Sequence, residues 1–101
     1  MESINAIAKV RFSSARAQTV GLCSGPTLSA ELLCLEPGQQ SQGNGQVCLY
    51  YVVTGSGKVA CGGAETPVSP GQVLAASAGE THSLVNTAQQ RLVCLVIRQA
   101  S

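Results

Sequence analysis

A chain of 101 residues makes one domain, with room for a single core and none for a separate catalytic unit. Apolar residues reach 45 %, which excludes disorder, whereas charged residues are only 11 %, against roughly 25 % in an average globular domain. The net charge of +1 comes from six scattered basic residues, and Phe12, Tyr50 and Tyr51 are the only aromatics, so the cationic stripe and stacking surface that nucleic acids require are missing.

From the N-terminus, Met1–Asn5 lacks the basic start and apolar run of a signal peptide, so the expected location is cytoplasmic. No apolar stretch reaches the ~18 residues of a membrane span, and no membrane partner is expected. Residues 1–20 read as an arm, in which Ala6 to Phe12 is a candidate edge strand and Ser13 to Gln18 a loop. Glycine and proline then punctuate the chain at Gly25-Pro26, Pro37-Gly38, Gly55-Ser56-Gly57, Gly62-Gly63, Pro70-Gly71 and Gly79. Between them lie β-rich runs at 28–35, 47–53, 59–61, 73–76, 83–85 and 92–97. Short strands with such regular turn signals predict an all-β sandwich or barrel, and no long 3.6-residue period predicts a helix. The domain core is expected over about 28–98 of a single 1–101 domain.

Two runs, 47–53 and 92–97, are apolar on both parities. One face of each is expected to line the interior and the other to be covered by a second sheet or a second subunit, which predicts a homodimer. Alternation places Cys48, Tyr50 and Val52 inward and Leu49, Tyr51 and Val53 outward. The five cysteines (Cys23, Cys34, Cys48, Cys61 and Cys94) form no CxxC pair and read as reduced thiols. Aspartate is absent, which limits any scheme needing two close carboxylates.

The stretch from Gly71 to Asn86 resembles the second motif of the cupin family, G-x5-P-x-G-x2-H-x3-N, matching at Gly71, Gly79, His82 and Asn86 and departing at Ser77, where the motif has proline. Upstream, Leu35 to Gly38 and Leu49 to Gly57 look like the frame of the first motif, G-x5-H-x-H-x3-4-E-x6-G. The resemblance covers roughly 28–98 and implies a single antiparallel β-barrel, the double-stranded β-helix or jelly roll. It also implies a divalent metal held by three histidines and a glutamate. Here the glutamate position holds Cys48, and the first two histidine positions fall at or near Gln42 and Asn44, leaving His82. Amide side chains are poor transition-metal ligands, so no cofactor is expected; the alternative is a divalent transition metal on an atypical set, His82 with Cys48.

His82, the only histidine, is the leading site residue: an acid, base, ligand-binding group or residual metal ligand, or a histidine merely bonded to a neighbour. Cys48 is either its thiolate partner, with Cys34 or Cys94 as candidate further sulfurs, or core packing. Tyr50, Asn44 and Gln42 complete the candidate pocket. Glu80 is read as orienting His82 or as a solvated turn residue. Arg91 and Arg98 are read as anion-binding or as strand-end charges, and Cys61-Gly62-Gly63 as a turn. The expected function is a small-molecule-binding module of unknown ligand; the alternative is a metal-dependent cupin enzyme of dioxygenase or isomerase type.

Overall fold

Each of the six runs expected between 28 and 97 becomes a strand, because each is a short apolar stretch closed by a turn signal. The computed structural model describes residues 1–43 and 45–99. Its strands, in chain order, are β1 (Gln18–Ser24), β2 (Leu28–Leu35), β3 (Gln40–Gln42), β4 (Cys48–Thr54), β5 (Gly57–Cys61), β6 (Ala64–Val68), β7 (Val73–Ala76), β8 (His82–Val85) and β9 (Leu92–Gln99). All pairings are antiparallel and make two sheets, ordered β1-β2-β9-β4-β7 and β3-β8-β5-β6. The fold is an all-β jelly roll. Among the described residues the only helical segment is a short 3-10 turn at Ile7–Lys9.

The core lies between the two sheets. Leu33 and Leu35 of β2, Tyr50 and Val52 of β4, and Leu92, Cys94 and Val96 of β9 meet Val68 of β6 and Leu84 of β8 there. Parity in β4 is as read from the sequence: Cys48, Tyr50 and Val52 are buried, and Leu49 and Tyr51 are exposed. Between β4 and β5, the Gly55-Ser56-Gly57 turn requires its glycines. A Cβ on Gly55 would lie 2.3 Å from the Arg91 carbonyl oxygen, and one on Gly57 would lie 2.3 Å from that of Val85. Asn86 is fully buried and pins three backbone segments: its amide donates to the Leu35 and Gln90 carbonyls at 3.0 and 2.8 Å, and its carbonyl oxygen accepts from Ala88 N–H at 3.0 Å. The last residue of the motif is therefore a structural one.

The N-terminal arm departs from expectation. Ala6 to Phe12 is not an edge strand, and Gln18 opens a strand rather than closing a loop. Edge pairing with β2 is taken by β1, so the arm crosses the outer face of the sheet, where Ala6, Val10 and Phe12 pack on Leu32, Cys34, Val93 and Leu95. The chain itself thus covers the second apolar face of β9. Two short strands carried no apolar signal: β3 is Gln-Ser-Gln, and β6 contains Pro67, which an edge strand tolerates.

Candidate functional site

Tyr50 belongs to the five-stranded sheet and His82 to the four-stranded one, and both point between them. Their side chains meet there. The Tyr50 hydroxyl lies 2.7 Å from His82 Nε2, and the rings stand edge to face with centroids 5.3 Å apart. The imidazole is seated against Gly43, whose N–H donates to the His82 carbonyl at 2.8 Å; a Cβ at residue 43 would fall 2.1 Å from His82 Cε1. Only a residue without a side chain leaves that seat open. His82 is 7 % exposed, and its buried Nδ1 has no hydrogen-bond partner among the described residues. Burial, reinforced by the adjacent Cys48, pushes the Tyr50 phenol well above its ordinary value. Its O–H is therefore intact at neutral pH. It either donates to Nε2, placing the imidazole proton on Nδ1, or accepts from an Nε2–H.

Cys61 stands directly opposite His82 in the β5–β8 pairing, so its side chain shares that face. Its thiol hydrogen-bonds Glu80, and desolvation followed by that bond raises its pKa. The Glu80 carboxylate also accepts from Ser77 N–H at 3.0 Å, and this bond, with the Cys61 bond after it, holds its pKa below the ordinary value. Tyr50, His82, Cys61 and Glu80 line one cavity of about 340 Å3, whose remaining walls include Val59 and Leu74.

The structure gathers some of the candidate residues and separates others. His82 and Tyr50 line the cavity. Cys48 is buried on the same face of β4 as Tyr50, and the histidine's hydrogen-bond partner is the tyrosine. Gln42 pairs with Ser83 in the β3–β8 register and is exposed; it lines a second, more open cavity with Gly43, Ala60 and His82, apart from Tyr50. Asn44 lies outside the described residues. Arg91 is bound to Glu36 at 2.8 Å and stacks 4.5 Å over the Phe12 ring, and Arg98 is bound to Glu31, so each is committed to a structural ion pair. Cys34 packs in the cluster beneath the arm and Cys94 in the core between the sheets, so the further sulfurs do not converge on His82. Among the described residues, no three His, Cys, Asp or Glu side chains are grouped to hold a metal ion. Cys61 and Glu80 are the cavity residues that sequence reading undervalued. Cys61 sits at a turn by local sequence, and only the pairing of β5 with β8 aims it at His82.

The sequence profile of the cupin domain matches residues 31–98. No curated protein matches the chain. Among solved structures, the TT1209 protein of Thermus thermophilus is 24 % identical with a TM-score of 0.90, over 98 % of this chain and 97 % of that one. An uncharacterized conserved protein with a double-stranded beta-helix domain from Klebsiella pneumoniae is 16 % identical with a TM-score of 0.89, over 98 % and 90 %. A Cupin 2 conserved barrel domain protein from Salinispora arenicola is 19 % identical with a TM-score of 0.80, over 100 % and 90 %. At these identities the likeness is one of fold.

Proposed function

Because the chain belongs to the cupin domain family, whose profile spans residues 31–98, we propose that it is a small-molecule-binding module whose ligand enters the cavity lined by Tyr50 and His82. The observation that carries this reading is the Tyr50–His82 pair itself, a hydrogen-bonded polar couple in a cavity whose inward walls include Val59, Leu74 and Ala76 and whose rim carries Cys61 and Glu80. An apolar cavity with a few convergent polar groups is the usual make-up of a ligand site.

The donor set does not fit a resident transition metal. His82 Nε2 is taken by the Tyr50 hydroxyl, and the described residues offer no group of three ligating side chains. The one observation favouring a metal-dependent enzyme is the unpartnered His82 Nδ1, yet a single nitrogen falls short of the three protein ligands of a catalytic zinc. Elemental analysis of the purified chain is expected to find far less than one transition-metal ion per chain; stoichiometric metal surviving chelation would reverse this part of the proposal. Ligand screening by NMR is expected to move the amides around Tyr50 and His82, with Tyr50→Phe weakening any hit. A screen in which every hit maps elsewhere would sink the reading.

The module is proposed to act as a homodimer, supported by the uncovered apolar part of the outer sheet face: Leu28, Leu49, Tyr51 and Val73 are exposed. Five free cysteines suit a reducing compartment, and the cytoplasm is the proposed location.

A further inference from the structure

Glu80 is a fixed charge at the cavity. Ser77 N–H donates to its Oε1 at 3.0 Å, the Glu80 N–H donates back to the Ser77 carbonyl at 3.1 Å, and the Cys61 thiol bonds the carboxylate. The first of these donors exists because the chain has serine where the second cupin motif has proline, and proline carries no N–H. A carboxylate accepts about four hydrogen bonds, so two donors leave capacity for a ligand. No lysine or arginine lines the cavity among the described residues. Arg91 and Arg98 are held by Glu36 and Glu31. The inward walls include Val59, Leu74 and Ala76, and His82, nine-tenths buried with Nδ1 unpartnered among the described residues, lines the same space.

We propose that this cavity selects a small organic amine: an ammonium group on the Glu80 carboxylate, a short apolar body against the valine and leucine walls, and the far end against the Tyr50–His82 pair. The assignment rests on the reading that the cavity is the ligand site. An ammonium meets a negative charge already oriented by the protein, whereas a carboxylate ligand meets the same charge with no cation among the described lining residues; Arg98, which acts on Tyr50 from outside the cavity, is paired with Glu31. Glu80 is exposed, so water screens the pair, and the preference is modest, about fivefold.

Three probes of one shape separate the contributions: benzylamine, benzyl alcohol and benzoate, titrated into the 15N-labelled protein at low salt and followed at the amides of the cavity residues. Benzylamine is expected to bind about fivefold more tightly than benzyl alcohol, with benzoate weakest. Glu80→Gln is expected to bring the amine to the level of the alcohol. Ser77→Pro, which removes the anchoring N–H, is expected to reduce the preference in the same direction. Salt added to the wild-type protein is expected to erode the amine's advantage without any substitution, which keeps the test decisive should Ser77→Pro fail to fold. Equal binding of the three probes at the cavity, or a preference that persists in Glu80→Gln, overturns the amine assignment and leaves the cavity reading standing. No response of the cavity residues to any probe overturns both.

Discussion

The Tyr50–His82 hydrogen bond joins the two sheets, and Gly43 makes room for it. Tyr50→Phe removes the hydroxyl and leaves the imidazole without its 2.7 Å partner. Stranding a buried polar group costs about 1–3 kcal/mol, and a urea midpoint lowered at unchanged m is the expected result. Gly43→Ala is expected to cost a similar ~1–3 kcal/mol by forcing the ring from its seat, visible as a displaced His82 Hε1 resonance. The buried ionisable groups set the alkaline limit. Burial, then the neighbouring Cys34, pushes the Cys94 thiol up to about 12 from 9.0, and burial raises Cys34 and Tyr50 in the same direction. A folded-state pKa above the unfolded one gives stability that is intact below the unfolded value and is lost as pH rises through the folded one. The urea midpoint is therefore expected to hold at about pH 7.5 and to fall at about pH 10.5. An unchanged midpoint at the higher pH would contradict the burial of these groups.

The N-terminal arm supplies to β2 and β9 what a second layer supplies elsewhere. Val10 and Phe12 cover Leu32, Cys34 and Val93, and the Arg91 guanidinium over the Phe12 ring, itself bound to Glu36, clamps the crossing point. Farther along, the Gln39 side-chain amide donates to the Ser13 carbonyl at 2.7 Å and its oxygen accepts from Glu36 N–H at 2.8 Å, tying the end of the arm to the β2–β3 turn. Phe12→Ala removes a half-buried ring and its cation partner, at an expected cost of about 2 kcal/mol. Thiol titration reports the same event chemically. In the native protein Cys23 is exposed and is expected to react first, and Cys61 more slowly because its pKa is raised; Cys34, Cys48 and Cys94 are buried and are expected to wait for unfolding. In Phe12→Ala, Cys34 is expected to join the reactive set ahead of Cys48 and Cys94. If it stays as slow as they do, the arm is not what shields it.

At the scale of the whole molecule, the arm reaches only the end of β4, at Val53 and Thr54, and leaves the rest of that strand uncovered. Leu28, Leu49, Tyr51 and Val73 remain 59, 43, 44 and 60 % exposed, on a chain in which charge is scarce. Leu49 and Tyr51 sit opposite Ala75 and Val73, and on the other side opposite Ile97 and Leu95, so the patch is continuous across three strands. At about 25 cal/mol per Å2, covering such a patch with its own copy favours association by several kcal/mol before the costs of ordering. Light scattering at micromolar concentration is expected to give the mass of a dimer, and Tyr51→Lys the mass of a monomer. A monomeric wild-type chain refutes the pairing. Val93 and Val96 are unsuitable probes, because the arm covers the first and the second lies between the sheets.

Strand positions, turn positions and the inward parity of Cys48, Tyr50 and Val52 were readable from the sequence because they depend on neighbours one or two residues apart: side chains alternate, and glycine and proline end runs locally. For the same reason β3 and β6, whose residues carry no apolar alternation, were invisible, and the edge strand expected at 6–12 lies instead at Gln18–Ser24, where pairing with β2 makes it. His82 and Tyr50 could be named as candidates one at a time. That they bond to each other was decided by which sheet each strand joined, and Cys61 entered the site only through the register of β5 against β8. The arm was legible as an apolar segment but not as a cover, since periodicity records that a side chain will be buried and not what will bury it. Such pairings form between segments far apart in the chain, where the free energy belongs to the assembled surface and no local pattern carries it.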